Sequence, residues 1–297
     1  MRNGKARQVW RLKDSVKELG ELASSAGAEV VGTITQNLSK HSNTYLGKGK
    51  IEELKDLAAD LELDTVICDD ELNPNQQLNL EKALDGVKVI DRTALILDIF
   101  AANALTKEGR LQVELAQHEY LLPRLAGQWT HLERLGGGIG TRGPGESQIE
   151  TDRRLARGRI LRLKKDIEKV RQHRSRYRER RRSSEAKIVA LVGYTNAGKS
   201  TLLNSLTSAE VVAENRMFST LDPVTRRLKL PSGSDVLLTD TVGFIQKLPT
   251  TLIAAFRATL EEINEADLIL HVLDVTHDRR VEHSESVKSI IAEIGLT

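Results

Sequence analysis

The sequence has one cysteine, Cys68, which excludes a disulfide framework and a thiolate metal site. Its seven histidines are scattered and form no HExxH pattern, so no dedicated zinc site is expected. No stretch of about 18 apolar residues occurs, and the basic N-terminus lacks the apolar core of a signal peptide. These absences predict a protein without a membrane span in the reducing cytoplasm, where we expect a monomer.

The charged residues are distributed unevenly along the chain. The 297 residues include 39% apolar and 29% charged residues, an ordinary globular composition, and the net charge is only +2. Residues 152–187, however, hold 16 Lys and Arg against 5 Asp and Glu. A solvated helix face is the ordinary interpretation of such a run. Because few acids compensate the charge here, the segment favours contact with a polyanion.

Residues 1–105 alternate strand-like and helix-period segments, which predicts a small parallel α/β domain. The predicted strands cover residues 29–34, 65–68 and 87–90. Ile51, Leu54, Leu57, Ala58 and Leu61 mark one face of a helix between them. Asn73-Pro74 predicts the start of another helix, and Asp91 predicts the cap of a third over residues 94–104.

Residues 106–186 predict a helical hairpin. Positions spaced four and three apart, apolar except for His118, form two seams. They are Leu111, Leu115, His118, Leu122 and Leu125, then Ala156, Ile160, Leu163, Ile167 and Val170. Two such seams can bury each other as an antiparallel coiled coil with basic residues outside. The glycine-rich region between them, residues 126–152, rules out one continuous helix.

The tip of this hairpin, residues 136–147, is too rich in glycine to predict any regular element. Gly138, Gly140 and Gly143 match GxGxxG, but no apolar strand precedes them, so the dinucleotide interpretation fails. A glycine loop that carries Arg142 can follow an irregular RNA surface closely. A plain flexible linker is the alternative.

Residues 187–297 contain a phosphate-binding loop in its full context. The apolar strand 187–192 runs into Gly193–Ser200, which matches GxxxxGKS, and a helix follows from Thr201. Glycines allow backbone amides to turn toward phosphates. Lys199 is predicted to reach the β- and γ-phosphates, and the Ser200 hydroxyl to bind magnesium. The chain therefore binds a nucleoside triphosphate with Mg²⁺.

Two further segments complete this prediction. Asp240 ends an apolar strand and is expected to hold magnesium through water, while the Gly243 amide senses the γ-phosphate. Thr220 lies in the stretch before that strand, where it can close on the metal. We assign catalysis to Lys199, Thr220 and Gly243, and metal binding to Ser200, Thr220 and Asp240. The full set of predicted nucleotide contacts is Gly193, Tyr194, Thr195, Asn196, Ala197, Gly198, Lys199, Ser200, Thr201, Phe218, Ser219, Thr220, Leu221, Asp222, Asp240, Thr241, Val242 and Gly243. Residues 268–274 predict a further core strand.

Four motifs together resemble the HflX family of translational GTPases. They are TNAGKS, FSTLDPVTRR, DTVGF and the tip sequence GGGIGTRGPGESQIETDRR, of which the tip is the most specific. The resemblance implies GTP as substrate, GDP as product, and binding to the large ribosomal subunit and its rRNA. It also implies splitting or rescue of stalled ribosomes, with hydrolysis controlling release. The basic helix 152–187 and the tip 136–147 are the expected rRNA contacts.

The chain departs from this family after Asp274. No NKxD motif and no SAK-like loop appear, and these elements read guanine in the superfamily. We therefore expect a chain truncated before NKxD, with an incomplete GTPase domain that binds nucleotide weakly and separates GTP from ATP poorly. An rRNA-binding fragment without turnover is the alternative function, and an ATPase with an RNA-binding arm is a third.

Phe244 follows Asp240-Thr241-Val242-Gly243, at the position where Ras-like enzymes place a water-orienting glutamine. An aromatic ring cannot orient the attacking water by hydrogen bonding. We expect slow intrinsic hydrolysis that a partner, the ribosome, accelerates.

Overall fold

The computed structural model describes residues 12–37, 42–125, 144–182, 187–207, 217–248 and 263–293. It confirms the mixed α/β class with parallel sheets. The chain divides into two compact units, Met1–Ile96 and Leu97–Thr297. The finer division at residues 105 and 186 stays a prediction.

The first unit packs helices on a two-stranded parallel sheet. Strand β1 (Thr65–Cys68) pairs with β2 (Lys88–Asp91), so that Val66 lies opposite Val89. Side chains of helices and strands form one buried cluster that includes Ile51, Leu54 and Leu80. The elements in chain order are α1 (Leu12–Ser25), α2 (Lys48–Asp60), β1 (Thr65–Cys68), α3 (Pro74–Ala83), β2 (Lys88–Asp91) and α4 (Arg92–Asn103), which continues into the second unit.

Both predicted helix starts in this unit are confirmed. The Asn73 side chain accepts a hydrogen bond from the Gln76 backbone in a capping box, and Pro74 opens α3. Asp91 Oδ1 accepts from the Ala94 backbone N–H at 2.9 Å at the start of α4. Local capping chemistry determines these boundaries, because each cap involves residues only three apart in sequence.

The strand predicted over residues 29–34 is wrong. No strand is found there, and Val30 and Val31 are 49% and 51% exposed. A short apolar run gives β-propensity, but it does not supply the neighbouring strand that a ladder requires.

Arg92 is the largest fully buried side chain of the first unit. Its guanidinium contacts the carboxylate of Glu18 and donates to Asp69 Oδ1 at 2.8 Å. Ser15 Oγ donates to the other oxygen of Asp69. One cation and two carboxylates therefore join α1, the residue that follows β1, and α4 inside the unit.

After the end of α4, the second unit continues with the predicted hairpin, formed by α5 (Lys107–Leu121) and α6 (Pro144–Arg182). The expectation that no regular element survives in residues 136–147 is wrong from Pro144 onward, because a proline at the first helical position suits a helix start. The tip residues 136–143, including Arg142, lie outside the described residues. Side chains of α6 are described over residues 150–174.

The apolar seam of α6 agrees with the prediction better than that of α5. Ile160 and Leu163 are buried. In α5 the buried apolar residues are Val113, Ala116 and Tyr120, while the predicted positions 111, 115 and 118 are half-buried. The 4,3 spacing found the correct helix but a face rotated by about one residue, so the coiled coil itself stays a prediction.

Ion pairs show that the two helices run antiparallel. Glu108 pairs with Arg174 at 3.1 Å, and Glu119 pairs with Lys164 at 2.8 Å. From the first pair to the second, the residue number rises along α5 from 108 to 119 and falls along α6 from 174 to 164.

In the described residues after α6, four strands form a sheet in the order β4 (Val224–Lys229), β5 (Asp235–Asp240), β3 (Lys187–Gly193) and β6 (Leu268–Val272). Strand β3 is parallel to β5 and β6, whereas β4 is antiparallel to β5. The elements are β3 (Lys187–Gly193), α7 (Lys199–Thr207), β4 (Val224–Lys229), β5 (Asp235–Asp240), β6 (Leu268–Val272) and α8 (Arg280–Glu293).

Strand β6 lies at one edge of this sheet as far as the chain is described. Leu268 and Leu270 are 53% and 40% exposed, so the strand is confirmed but its assignment to the core is wrong. Within the described ranges, no helix is long and apolar enough to cross a membrane.

Candidate phosphate-binding site

The phosphate-binding loop Gly193–Ser200, called the P-loop from here on, lies between the carboxyl end of β3 and the first turn of α7. Asn196 and Gly198 have positive φ values of 60° and 89°, which turn the backbone around the loop. A Cβ atom on Gly193 would lie 2.4 Å from the Val272 carbonyl oxygen, so only glycine fits beside β6. Because α7 begins directly after the loop, the loop amides lie at a helix N-terminus, where bound anions are favoured.

Lys199 is buried beneath this loop. Its Nζ donates to the carbonyl oxygens of Tyr194 and Gly193 at 2.8 and 3.3 Å. Burial lowers the pKa of Lys199 to about 8, although the nearby charge of Asp240 acts in the opposite direction. Among the residues that the structure describes, no carboxylate pairs directly with this amine, and a phosphate would supply the missing negative charge.

The three predicted metal ligands lie together. Ser200 Oγ donates to Asp240 Oδ2 at 2.6 Å and is 2.9 Å from Thr220 Oγ1. Asp240 is fully buried, and desolvation raises its pKa against the opposing effect of the Ser200 hydrogen bond. Its Oδ1 is buried without a hydrogen-bond partner in the described structure. Oxygen donors with an unsatisfied carboxylate oxygen fit Mg²⁺.

Gly243 and Phe244 pack directly on the P-loop backbone. Thr195 N–H donates to the Phe244 carbonyl at 2.7 Å, and Phe244 N–H donates to the Gly193 carbonyl at 3.0 Å. A Cβ on Gly243 would lie 2.5 Å from Thr195 Cα, so this close approach also requires glycine. The Phe244 side chain is 3% exposed and does not line the pocket.

These segments line one open pocket. All of its lining residues were predicted: Thr195, Asn196, Gly198, Lys199, Ser200, Thr201, Phe218, Ser219, Thr220, Thr241 and Gly243. The structure therefore brings together the P-loop, the Thr220 segment and the segment after β5.

Other predicted contacts lie outside the pocket lining, namely Gly193, Tyr194, Ala197, Leu221, Asp222, Asp240 and Val242. Asp240 reaches it through Ser200. The Tyr194 ring instead stacks on His283, with centroids 3.8 Å apart, and its hydroxyl accepts from Gln246 N–H. The Asp222 carboxylate is turned to the start of α5, where it accepts from the Leu105 and Thr106 amides. The Tyr194 and Asp222 side chains therefore have protein partners outside the pocket, and the assignment of these two residues as nucleotide contacts stays a prediction.

Sequence reasoning missed the residues that support the site from a distance. Asn103 Nδ2 donates to the Phe218 carbonyl at 3.0 Å across 115 positions, and Phe100 packs edge-on against Phe218. His283 supports Tyr194 from α8. No sequence motif marks these partners, because each contact depends on how distant elements pack.

A strand-to-helix phosphate loop with a hydroxyl–carboxylate cluster beside it defines a P-loop nucleoside triphosphatase. Residues 188–295 match the family model described as "50S ribosome-binding GTPase", which narrows the class to GTPases. Residues 13–101 and 103–181 match the "GTP-binding GTPase N-terminal" and "GTP-binding GTPase Middle Region" models. The chain belongs to the HflX family of GTPases.

Curated relatives carry the same family name. The chain is 56% identical to GTPase HflX of Alkalihalophilus pseudofirmus over 289 residues, which cover 97% of this chain and 68% of the relative. It is 47% identical to GTPase HflX of Escherichia coli over 282 residues, 95% of this chain and 66% of the relative. The chain thus spans about two thirds of the length of these relatives.

Solved structures show the same kind of similarity. A GTP-binding protein from Sulfolobus solfataricus in complex with GDP is 28% identical, with a TM-score of 0.50, and the match covers 96% of this chain and 76% of that one. A solved complex of SsGBP with GDP is also 28% identical, with a TM-score of 0.56, and the match covers 96% of this chain and 77% of that one. Both of these proteins were solved with GDP. Because this chain belongs to a GTPase family, the ATPase alternative is wrong.

Proposed function

We propose that this GTPase acts on the large ribosomal subunit, where it splits or rescues stalled ribosomes and GTP hydrolysis controls its release. The observation that carries the nucleotide chemistry is the contact of Ser200 with both Thr220 and Asp240 beside buried Lys199. The ribosomal part is supported by the "50S ribosome-binding GTPase" match over residues 188–295.

Magnesium fits the oxygen cluster in front of the P-loop. The Ser200 and Thr220 hydroxyls would coordinate the ion, and Asp240 would hold it through water. When bound with GTP, Mg²⁺ would neutralise charge that develops on the phosphate oxygens. Lys199 would place its cation on the β- and γ-phosphates, and the Gly243 amide would contact the γ-phosphate.

Activation by a partner is part of this proposal. Phe244 holds the P-loop through its backbone and offers no polar side-chain atom to orient water. Among the described residues, we assign no other side chain the role of orienting the attacking water. We propose that binding to the ribosome completes the catalytic arrangement, so that turnover is slow in the free protein.

The exposed face of α6 supports rRNA contact. Arg154, Arg157, Leu161 and Lys165 are exposed, and Leu161 is 68% exposed. At about 100° per residue these four positions fall within about 80° around the helix. Several other basic side chains in the described part of α6 are paired with acids, such as Arg159 with Glu114 and Lys169 with Asp166. One stripe of α6 is therefore available to a polyanion.

Cosedimentation with large ribosomal subunits at increasing salt tests the proposal. The Arg154→Gln/Arg157→Gln/Lys165→Gln variant should bind more weakly and lower the slope of log affinity against log salt by about 2 to 3, since each lost phosphate contact removes about 0.7 to 0.9. Lys169→Gln is the matched control, because Lys169 already pairs with Asp166.

GTP turnover with and without subunits is measured on the same preparations. Stimulation by subunits supports a ribosome-activated GTPase. Binding without any turnover would instead support an rRNA-binding protein, and equal sedimentation of both variants would refute the assignment of the α6 face.

A further inference from the structure

The segment that carries Thr220 is attached to the start of the hairpin through Asp222. The Asp222 Oδ2 atom accepts from the Leu105 and Thr106 backbone amides at 2.8 and 2.7 Å, and Oδ1 accepts from the Thr106 hydroxyl. Thr106 is itself the N-cap of α5. A carboxylate that accepts three hydrogen bonds next to a helix N-terminus is held strongly, because both the donors and the helix dipole favour its charge.

Gly109 leaves the space that this carboxylate occupies. A Cβ at Gly109 would lie 2.4 Å from Asp222 Oδ1 and 3.2 Å from Asp222 Cγ. Gly109 is buried in the first turn of α5, where alanine would be the better helix former. Glycine at residue 109 therefore makes room for the Asp222 carboxylate, at some cost in helix propensity.

A second attachment lies on the other side of Thr220. Asn103 Nδ2 donates to the Phe218 carbonyl at 3.0 Å, and the Phe100 and Phe218 rings meet edge-on with centroids 4.7 Å apart. Thr220 thus lies midway between two residues that are both fixed to residues 100–109. The Thr220 hydroxyl in turn contacts Ser200 in the metal cluster.

We propose that Asp222 is a positioning residue that places Thr220 for the metal and couples it to α5. A partner that displaces the start of α5 would move Asp222, whereas Phe218 is held by Phe100 and Asn103 of α4, and the Thr220 hydroxyl between them would shift. Coupling is reciprocal, so the nucleotide state also changes the stability of the first turn of α5. This inference rests on the role of Thr220 in the proposed function.

Two variants break the link in different ways. Asp222→Asn keeps the shape but replaces an acceptor with an NH₂ group that faces N–H donors. Gly109→Ala improves helix propensity and yet pushes the carboxylate from its donors. Gly158→Ala is the matched control, since it lies in α6 and its Cβ would meet nothing nearer than Arg162 Nη2 at 3.9 Å.

Binding of fluorescent GDP and of a fluorescent non-hydrolysable GTP analogue, each with Mg²⁺, is measured for the whole chain. Asp222→Asn and Gly109→Ala should weaken the analogue by about fivefold or more, a typical coupling magnitude, and leave GDP affinity unchanged. Gly158→Ala should change neither. A structural defect alone would weaken both nucleotides, and that result would overturn the inference.

Thr220→Ala separates this inference from the function on which it rests. If Thr220→Ala weakens the analogue while Asp222→Asn and Gly109→Ala do not, Thr220 keeps its role and the coupling is wrong. If Thr220→Ala itself has no effect, the proposed metal role of Thr220 fails, and the inference fails with it.

Hydrogen exchange supplies a readout that does not depend on activity. The Leu105 and Thr106 amides donate to Asp222, so they should exchange more slowly with the GTP analogue than with GDP. Asp222→Asn should abolish this difference. Equal exchange of these amides in the two nucleotide states of the unmodified chain would overturn the coupling.

Discussion

Ser200 Oγ donates a 2.6 Å hydrogen bond to Asp240 Oδ2 across 40 positions of sequence. The bond joins the first turn of α7, the helix that follows β3, to the carboxyl end of β5. Because β3 and β5 are parallel, their carboxyl ends lie at the same edge of the sheet. The hydrogen bond sets the spacing between the hydroxyl and the carboxylate that we propose share one magnesium ion.

Replacement of Asp240 by asparagine should weaken magnesium-dependent binding of a GTP analogue. Asparagine preserves the shape but removes the charge that would hold the hydrated ion, and outer-shell partners of this kind are worth about 10- to 100-fold in metal affinity. Titration of Mg²⁺ against a fluorescent GTP analogue measures the effect. Asp235→Asn, at the other end of β5, is the control, and an unchanged Mg²⁺ titration for Asp240→Asn would contradict the assignment.

Nucleotide affinity should fall as pH rises through about 8, the lowered pKa of Lys199. Bound phosphate favours the charged amine and raises this pKa, so binding takes up a proton wherever free Lys199 is neutral. The contribution of Lys199 is therefore complete below pH 8 and declines by up to about tenfold per pH unit above it. GDP affinity measured between pH 7 and 9 tests the prediction. Lys199→Met should bind weakly with a flatter profile, and a parallel profile in both proteins would assign the pH dependence elsewhere.

Replacement of Gly243 by alanine should separate the P-loop from the segment after β5. The added Cβ would lie 2.5 Å from Thr195 Cα, a backbone atom that cannot move aside alone. Overpacking of this kind costs about 1–3 kcal/mol of the free energy of unfolding. We expect loss of that size in chemical denaturation, together with weaker binding of both GDP and the GTP analogue.

Gly20→Ala is the control for that measurement, because a Cβ at Gly20 meets no atom within 4 Å. It lies inside α1, where alanine should stabilise by up to about 1 kcal/mol. Equal behaviour of the two variants would show that the loop tolerates a side chain at residue 243.

The parts of the site that could be predicted from sequence are those whose residues lie close together along the chain. The P-loop needs a strand, a glycine-rich turn and a helix in immediate succession, and residues 187–207 provide all three. Thr220 and Asp240 could be found because, in a P-loop GTPase, the two metal-binding segments follow the P-loop in a fixed order along the chain. The orientation of Asp222 could not be found, since its partners Leu105 and Thr106 lie more than a hundred positions away.

The same distinction explains the fold. The Asn73 and Asp91 caps were correct because capping is decided within one turn. The buried face of α5 was misplaced, because the helix packs on more than one neighbour: Glu108 meets α6 while Gly109 meets Asp222. Hydrophobic spacing identifies a helix, but it does not say how several neighbours divide its surface.

Replacement of Arg92 by alanine should destabilise the first unit strongly. It would leave Glu18 and Asp69, both buried, without their shared cation. Breaking a buried ion pair in this way costs about 3–5 kcal/mol of the free energy of unfolding. Urea denaturation of the chain measures the change. Lys17→Ala, an exposed substitution on α1, should stay within about 0.5 kcal/mol. A small effect of Arg92→Ala would show that the two carboxylates find other partners.

Replacement of Phe244 by glutamine should not accelerate basal GTP hydrolysis. The Phe244 side chain is 3% exposed and lies outside the pocket lining, so a glutamine that keeps this position cannot reach a water beside the γ-phosphate. Single-turnover hydrolysis without ribosomes measures this rate. Phe244→Leu is the conservative control and should cost less than about 1.5 kcal/mol of stability, whereas Phe244→Ala should cost about 3–5 kcal/mol. A large drop in basal rate for Phe244→Leu at unchanged stability would show that the ring itself is catalytic, and faster hydrolysis by Phe244→Gln would show that residue 244 can face the nucleotide.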